Sequence, residues 1–210
     1  MDFTSQMTSL LSELRRERNG EAADTMRFYG KGCGLNLGVA LHTVRAVAAG
    51  TPRNHDFARF LYRQDVRELR IAALWLAEPG RVEPAEFAFW ESGIVNSEIA
   101  EQAAMALFSR VKCADDFIEH GCTSDNVLTA YMALLTAARN PNCDAAKTLA
   151  AIETISGRFA DNRLIGQGAV AALASLAEQA PEPTRDSVVK ISQNNTPTSR
   201  YIADEMSWRI

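Results

Sequence analysis

Apolar residues recur along this chain with the spacing of α-helices, and residues 61–79 give the clearest case. Leu69, Ala72 and Leu76 fall at i, i+3 and i+7, which places them on one face of a helix. With Trp75 and its neighbours, the second half of the segment is apolar on nearly every side. The pattern predicts a helix whose far end is buried by several neighbours.

Both ends of this helix carry polar or helix-breaking residues. Asp65 is placed to act as the N-cap, and Glu68, three residues later, completes the pattern of a capping box. Pro79 is expected to stop the helix, because proline cannot continue the backbone hydrogen-bond ladder. The first turns also hold three arginines that are predicted to share one side: Arg63, Arg67 and Arg70.

The same periodicity predicts helices along the rest of the chain. Pro84 is expected at the first position of one helix, and Asn96 or Ser97 at the cap of the next. No stretch alternates with period two, so the chain is predicted to be all-α. The other predicted helices span residues 3–18, 21–29, 40–49, 54–63, 84–93, 97–110, 115–120, 125–138, 144–159, 162–178, 184–193 and 197–209.

Four alanine-rich helical segments resemble one another. They cover residues 69–77, 100–108, 128–138 and 165–177, and their starts are 31, 28 and 37 residues apart. This recurrence indicates stacked helix pairs, in which the alanine-rich helix of each pair lies between its neighbours. A closed helical bundle is the alternative, and the persistent spacing favours the solenoid. We expect one such domain over residues 1–210.

The composition is that of an ordinary globular protein, with 47% hydrophobic and 23% charged residues. No apolar run approaches the roughly 20 residues that a membrane-spanning helix needs. The amphipathic N-terminus is unlike a signal peptide, so a cytoplasmic location is expected. The cysteines form no CxxC pair and the histidines show no metal-ligand spacing, so we expect free thiols and neither metal nor cofactor.

A glycine-rich segment, residues 30–38, is the most distinctive loop of the sequence. A phosphate-binding loop requires Ser or Thr after Gly-Lys, but Lys31 is followed by Gly32, and no strand precedes the segment. We therefore interpret it mainly as a connection between helices. Lys31 is still a candidate contact for a phosphate.

Charge is distributed unevenly along the chain. The net charge is −4, but residues 1–70 hold 11 Lys and Arg against 8 Asp and Glu. Proteins that bind nucleic acid usually carry a basic excess, because cations neutralise the phosphates. Here that excess is confined to the first third of the sequence.

Several short motifs are similar to those of a known family. Residues 26–29 (MRFY), Gly38-Val39, Val44-Arg45 and residues 66–74 (VRELRIAAL) occur in the order found in the HEAT-like-repeat DNA glycosylases of the AlkD type. Residues 162–176 resemble a late helix of that family more weakly. The order and spacing of the motifs carry the resemblance, which covers roughly residues 20–180.

The resemblance implies a C-shaped stack of helix pairs whose concave basic surface grips duplex DNA. It also implies hydrolysis of the bond between deoxyribose and an alkylated purine, with a carboxylate beside aromatic walls. Trp90 can stand for one wall, but Asn96 occupies the place expected for the aspartate. Glu98 is a nearby carboxylate that could substitute. Whether the chain is an enzyme is therefore left open, with Trp90, Asn96 and Glu98 as candidates.

The candidate DNA-binding residues are Lys31, Arg45, Arg67, Arg70 and Trp90. Guanidinium groups make fork-shaped contacts with phosphate oxygens, which makes the arginines the strongest candidates. Arg67 has an alternative role in ion pairs between helices, and Trp90 has one in aromatic core packing. The alternative function is a helical-repeat scaffold for a protein or peptide partner, which fits the acidic overall balance.

Overall fold

The computed structural model describes residues 3–30 and 33–209. These residues form α-helices and three short 3-10 turns, with one isolated parallel bridge between Leu35 and Val66 and no β-strand. The prediction of an all-α fold is confirmed. The helices are α1 (Thr4–Arg16), α2 (Gly20–Phe28), α3 (Leu41–Ala49), α4 (His55–Tyr62), α5 (Arg67–Leu76), α6 (Phe87–Glu91), α7 (Ser97–Ala106), α8 (Ala114–Thr123), α9 (Val127–Ala137), α10 (Ala145–Arg158), α11 (Arg163–Ala177), α12 (Pro181–Gln193) and α13 (Pro197–Met206). The 3-10 turns are Pro79–Arg81, Pro84–Glu86 and Phe108–Arg110.

The chain divides into two compact units between Leu107 and Phe108. In the first unit, α5 packs against α3, α4 and α7, and α1 packs against α3. In the second unit, α8 pairs with α9, α10 with α11, and α12 with α13. Within that unit α11 also contacts α9 and α13, so these three helices form an inner row beside the outer row of α8, α10 and α12.

The four alanine-rich segments form helices that their neighbours enclose, as the sequence predicts. They correspond to α5, α7, α9 and α11, and most residues of α5, α7 and α9 are buried. Small side chains permit close approach between helix axes, and a Cβ added at Gly121 of α8 would lie 2.3 Å from that of Ala133 in α9. None of the described helices is long and apolar enough to cross a bilayer.

Asparagine side chains cap many of the helices. Asn96 accepts a hydrogen bond from the Ile99 amide at the start of α7, which settles the choice between Asn96 and Ser97. The predicted capping box of α5 is wrong. The N-cap of α5 is Val66, and the carboxylates of Asp65 and Glu68 accept hydrogen bonds from a distant loop.

Helix α5 is also shorter than predicted at both ends. It begins at Arg67, so Arg63 belongs to the end of α4 and the three arginines do not form a row on one helix. It ends at Leu76, before a 3-10 turn that begins at Pro79. Pro84 likewise opens a 3-10 turn, which leads into the short helix α6.

The segment that precedes α3 depends on a glycine. Gly38 has φ +70°, and a Cβ built on it would lie 1.9 Å from the backbone oxygen of Asn19. The Asn19 amide donates to Leu37 O at 2.8 Å, which holds this segment against the start of α2. Gly30 also has the left-handed conformation, with φ +71°, but a Cβ built on Gly30 would have no atom within 4 Å.

We expect Gly38→Ala to destabilise the protein more than Gly30→Ala. The left-handed conformation costs an L-residue about 1–2 kcal/mol, and only Gly38 adds a backbone clash to that cost. Urea denaturation followed by circular dichroism measures the difference. Equal shifts of the midpoint in the two variants would contradict the close packing of Gly38 against Asn19.

Candidate nucleic-acid interface

Arg67 is fully buried at the start of α5, where acceptors surround its guanidinium. Its Nε and Nη2 donate to the two carboxylate oxygens of Glu98, each at 2.7 Å. Nη1 donates to Glu68 Oε1 at 2.8 Å and to Val39 O at 2.9 Å. Burial disfavours the charged form, but the hydrogen bonds and charges of Glu98 and Glu68 outweigh it, so the pKa of Arg67 is raised.

The second carboxylate of this network, Glu68, holds the loop before α3. Its oxygens accept from the amides of Leu37 at 3.1 Å and Val39 at 3.2 Å. Two further backbone hydrogen bonds pair Leu35 with the start of α5: Leu35 N with Asp65 O, and Arg67 N with Leu35 O. The loop is thereby fixed along the first turn of α5.

Helix α5 contains two residues that its neighbours cover only in part. All of its residues are described, and all are buried except Arg70 and Trp75, which are half-buried and lie on different sides of the helix because they are five positions apart. The guanidinium carbon of Arg45, on α3, lies 5.2 Å from the centroid of the Trp75 ring, in cation–π geometry. Arg45 Nη2 also donates to Gln102 Oε1 of α7 at 3.1 Å. We call Arg45, Trp75 and Gln102, the last of which is buried, the α5 stripe.

Arg70 has two partners of its own. Its guanidinium pairs with Asp65 at 3.0 Å, and Nη1 lies 3.2 Å from Cys33 Sγ. The Asp65 side chain is 68% exposed, so water screens this ion pair. Burial raises the pKa of the Cys33 thiol, although the charge of Arg70 opposes the shift. The Arg70 side chain itself is only 12% exposed, so it is mostly covered beside Asp65 and Cys33.

Trp90 lies in the core, so it has the role in aromatic core packing that was the alternative to DNA binding. It is fully buried, and its ring centroid is 4.9 Å from that of Tyr62 and 5.9 Å from that of His55. The Tyr62 hydroxyl donates to Trp90 O at 2.6 Å, and burial raises the pKa of that tyrosine. In this structure Trp90 therefore has no face open to a ligand.

The two other candidates for catalysis also have structural partners. Asn96 is 5% exposed and caps α7, and Glu98, 6% exposed, forms the bidentate pair with Arg67. Arg67 itself lies in the core rather than on a surface. Lys31 is outside the described residues. Of the predicted site residues in the described part of the chain, Arg45 and Arg70 are thus the two that are half-buried rather than buried.

Sequence reasoning missed Trp75 and Gln102 as members of this stripe. Trp75 sits in an apolar run that predicts a core position, and only its pairing with Arg45 marks it as different. Among the described residues, no cluster of His, Cys, Asp or Glu could hold a metal ion. All four cysteines are free.

Comparison with known proteins adds two findings. A family model described as "DNA alkylation repair enzyme" matches residues 10–205. One similar solved structure is described as "A new family of proteins related to the HEAT-like repeat DNA glycosylases with affinity for branched DNA structures". Its sequence is 15% identical to this one, and the two structures align with a TM-score of 0.75. The alignment covers 99% of this chain and 95% of that chain. At that identity the likeness shows a shared fold. A search of curated proteins found no match.

The Arg67 network makes a prediction about stability. We expect Arg67→Ala to lower the free energy of unfolding by about 3–5 kcal/mol, because it leaves the buried Glu68 and Glu98 carboxylates without their cation. Arg18→Ala, at an exposed position before α2, is the matched control and should shift it by less than about 0.5 kcal/mol. Chemical denaturation measures both. Similar midpoints for the two variants would refute a stabilising role for the network.

Proposed function

Because this chain belongs to the DNA alkylation repair enzyme family, we propose that it is a DNA-binding protein that contacts the phosphate backbone through the α5 stripe. The observation that supports this proposal is that Arg45, which pairs with Trp75, and Arg70 stay half-buried at a helix whose other residues are buried. Buried helices normally complete their packing with apolar groups. The two arginines supply donors for an anionic ligand at these positions.

The geometry of Arg45 supports a role in binding. Its guanidinium is already oriented by the Trp75 ring and by Gln102, so contact with a phosphate requires little loss of side-chain freedom. Its fork of N–H groups matches the paired oxygens of a phosphate. Arg70 adds a second cation at another position of α5, where it pairs with the exposed Asp65.

The candidate catalytic groups favour binding without base excision. Glycosidic cleavage by the implied mechanism needs a carboxylate that can face a cationic sugar. The Asn96 oxygen accepts from the Ile99 amide, and both oxygens of Glu98 are occupied by Arg67. Neither residue offers free negative charge to a substrate.

Branched DNA is the ligand class that we favour. The similar solved structure is described as having affinity for branched DNA structures. A local basic region suits such a ligand, because a branch presents several phosphate backbones near one point. The acidic overall charge argues against coating long stretches of duplex, since a net −4 protein is repelled by a polyanion except at such a region.

We expect the affinity for a DNA junction to fall as salt rises, with a negative slope of log affinity against log salt. Arg45→Ala and Arg70→Ala should each weaken binding and reduce the slope by about one, because each removes one phosphate contact. Fluorescence anisotropy across a salt series measures this. Arg53→Ala is the control, since Arg53 is an exposed arginine that lines a groove beside α1. A zero slope, or parental affinity in both variants, would exclude this surface.

We also expect no release of 7-methylguanine from alkylated DNA. The measurement is chromatography of the released bases after incubation with the protein in excess. Glu98→Gln and Asn96→Ala serve as comparisons, with circular dichroism to establish that each variant is folded. Release by the parent protein that either substitution abolishes would show that these residues catalyse excision.

A further inference from the structure

Two adjacent aromatic rings at the end of α2 project into solvent. Phe28 is 83% exposed and Tyr29 is 73% exposed. Their ring centroids are 5.2 Å apart and their planes are nearly perpendicular, at 86°. Large apolar side chains that are adjacent and exposed commonly mark a contact surface. The pair contributes little to the core, so its rings are available to a ligand.

The chain places the backbone of this pair a short distance from Arg70. Tyr29 precedes Cys33 by four residues, a separation that spans at most about 14 Å even in a fully extended chain. Cys33 lies against Arg70, with Sγ 3.2 Å from Nη1. The Tyr29 backbone therefore lies within about 14 Å of Cys33, which contacts the Arg70 guanidinium.

Helix α2 is also tied to the loop that α5 holds. Asn36 Nδ2 donates to Met26 Sδ at 3.4 Å, and the Asn19 amide donates to Leu37 O. The same loop is fixed to α5 through the Glu68 carboxylate. These contacts restrain the end of α2 relative to Arg70, so the aromatic pair can act together with the cations.

We propose that Phe28 and Tyr29 form a stacking platform for unpaired bases at a DNA branch, an inference that rests on the proposed DNA-binding function. An aromatic ring stacks on any base, because every base has a π-face. Bases inside an intact duplex are already stacked on one another, whereas bases at a branch point or in a single strand have open faces. The platform therefore supplies preference for branched over linear DNA, and the arginines supply backbone affinity.

An apolar pocket of a protein partner is the other possible occupant. The basic excess of residues 1–70 and the proximity of Arg70 favour DNA, because an apolar protein pocket gains nothing from neighbouring guanidinium groups. The perpendicular arrangement also leaves a face of each ring for a separate base. These features favour nucleic acid over a protein as the ligand of the Phe28–Tyr29 pair.

The test compares a four-way junction with a linear duplex of the same sequence. We expect the double variant Phe28→Ala and Tyr29→Ala to lose about tenfold or more in affinity for the junction, and less than about twofold for the duplex. Trp208→Ala is the matched control, because Trp208 is 72% exposed in the second unit and should leave both affinities unchanged. Phe28→Tyr with Tyr29→Phe should retain the preference for the junction.

A fluorescent base gives a second readout. 2-Aminopurine placed at the branch should lose fluorescence on binding the parent protein and keep it with the double alanine variant. Unchanged junction affinity in that variant, or equal losses for junction and duplex, would overturn the stacking platform while DNA binding stands. Failure of the parent protein to bind either DNA would instead overturn the proposed function, and with it this inference.

Discussion

The buried guanidinium of Arg67 is the interaction on which the first unit depends. A charge in the core is tolerated only when its hydrogen bonds are complete, because an uncompensated buried ion costs several kcal/mol. Arg67 meets that condition with two carboxylates and one backbone carbonyl. Glu98 comes from α7 and Val39 from the loop before α3, so satisfying one side chain fixes two segments against α5.

The same network occupies two of the candidate site residues, and a helix cap occupies a third. Glu98 and Arg67 neutralise each other, and Asn96 is committed to the cap of α7. None of the three can change its partner without exposing an unsatisfied polar group in the core, at a cost of about 1–3 kcal/mol or more. Arg45 and Arg70, which are half-buried, lie outside this network.

The sequence predicts the helices well because their signals are local. The apolar spacing of α5, α7, α9 and α11 is visible within each segment, and so is the cap at Asn96. The roles of the charged residues depend on distant partners instead. Arg67 and Arg70 lie one turn apart, yet Arg67 is covered by the loop before α3 and by Glu98, 31 residues away. Asp65 and Glu68 fit a capping box locally, but the loop amides take their oxygens.

The difference between Arg67 and Arg70 is also a difference in how firmly each partner is held. The carboxylates that pair with Arg67 are buried. If an external anion replaced them, their hydrogen bonds would break and no water could form new ones. Asp65 is largely exposed, and a screened surface pair contributes about 0–1 kcal/mol. Arg70 also contacts Cys33, and its own side chain is only 12% exposed. A helix can thus carry one arginine that holds the fold and, one turn later, another whose ion pair is with an exposed carboxylate.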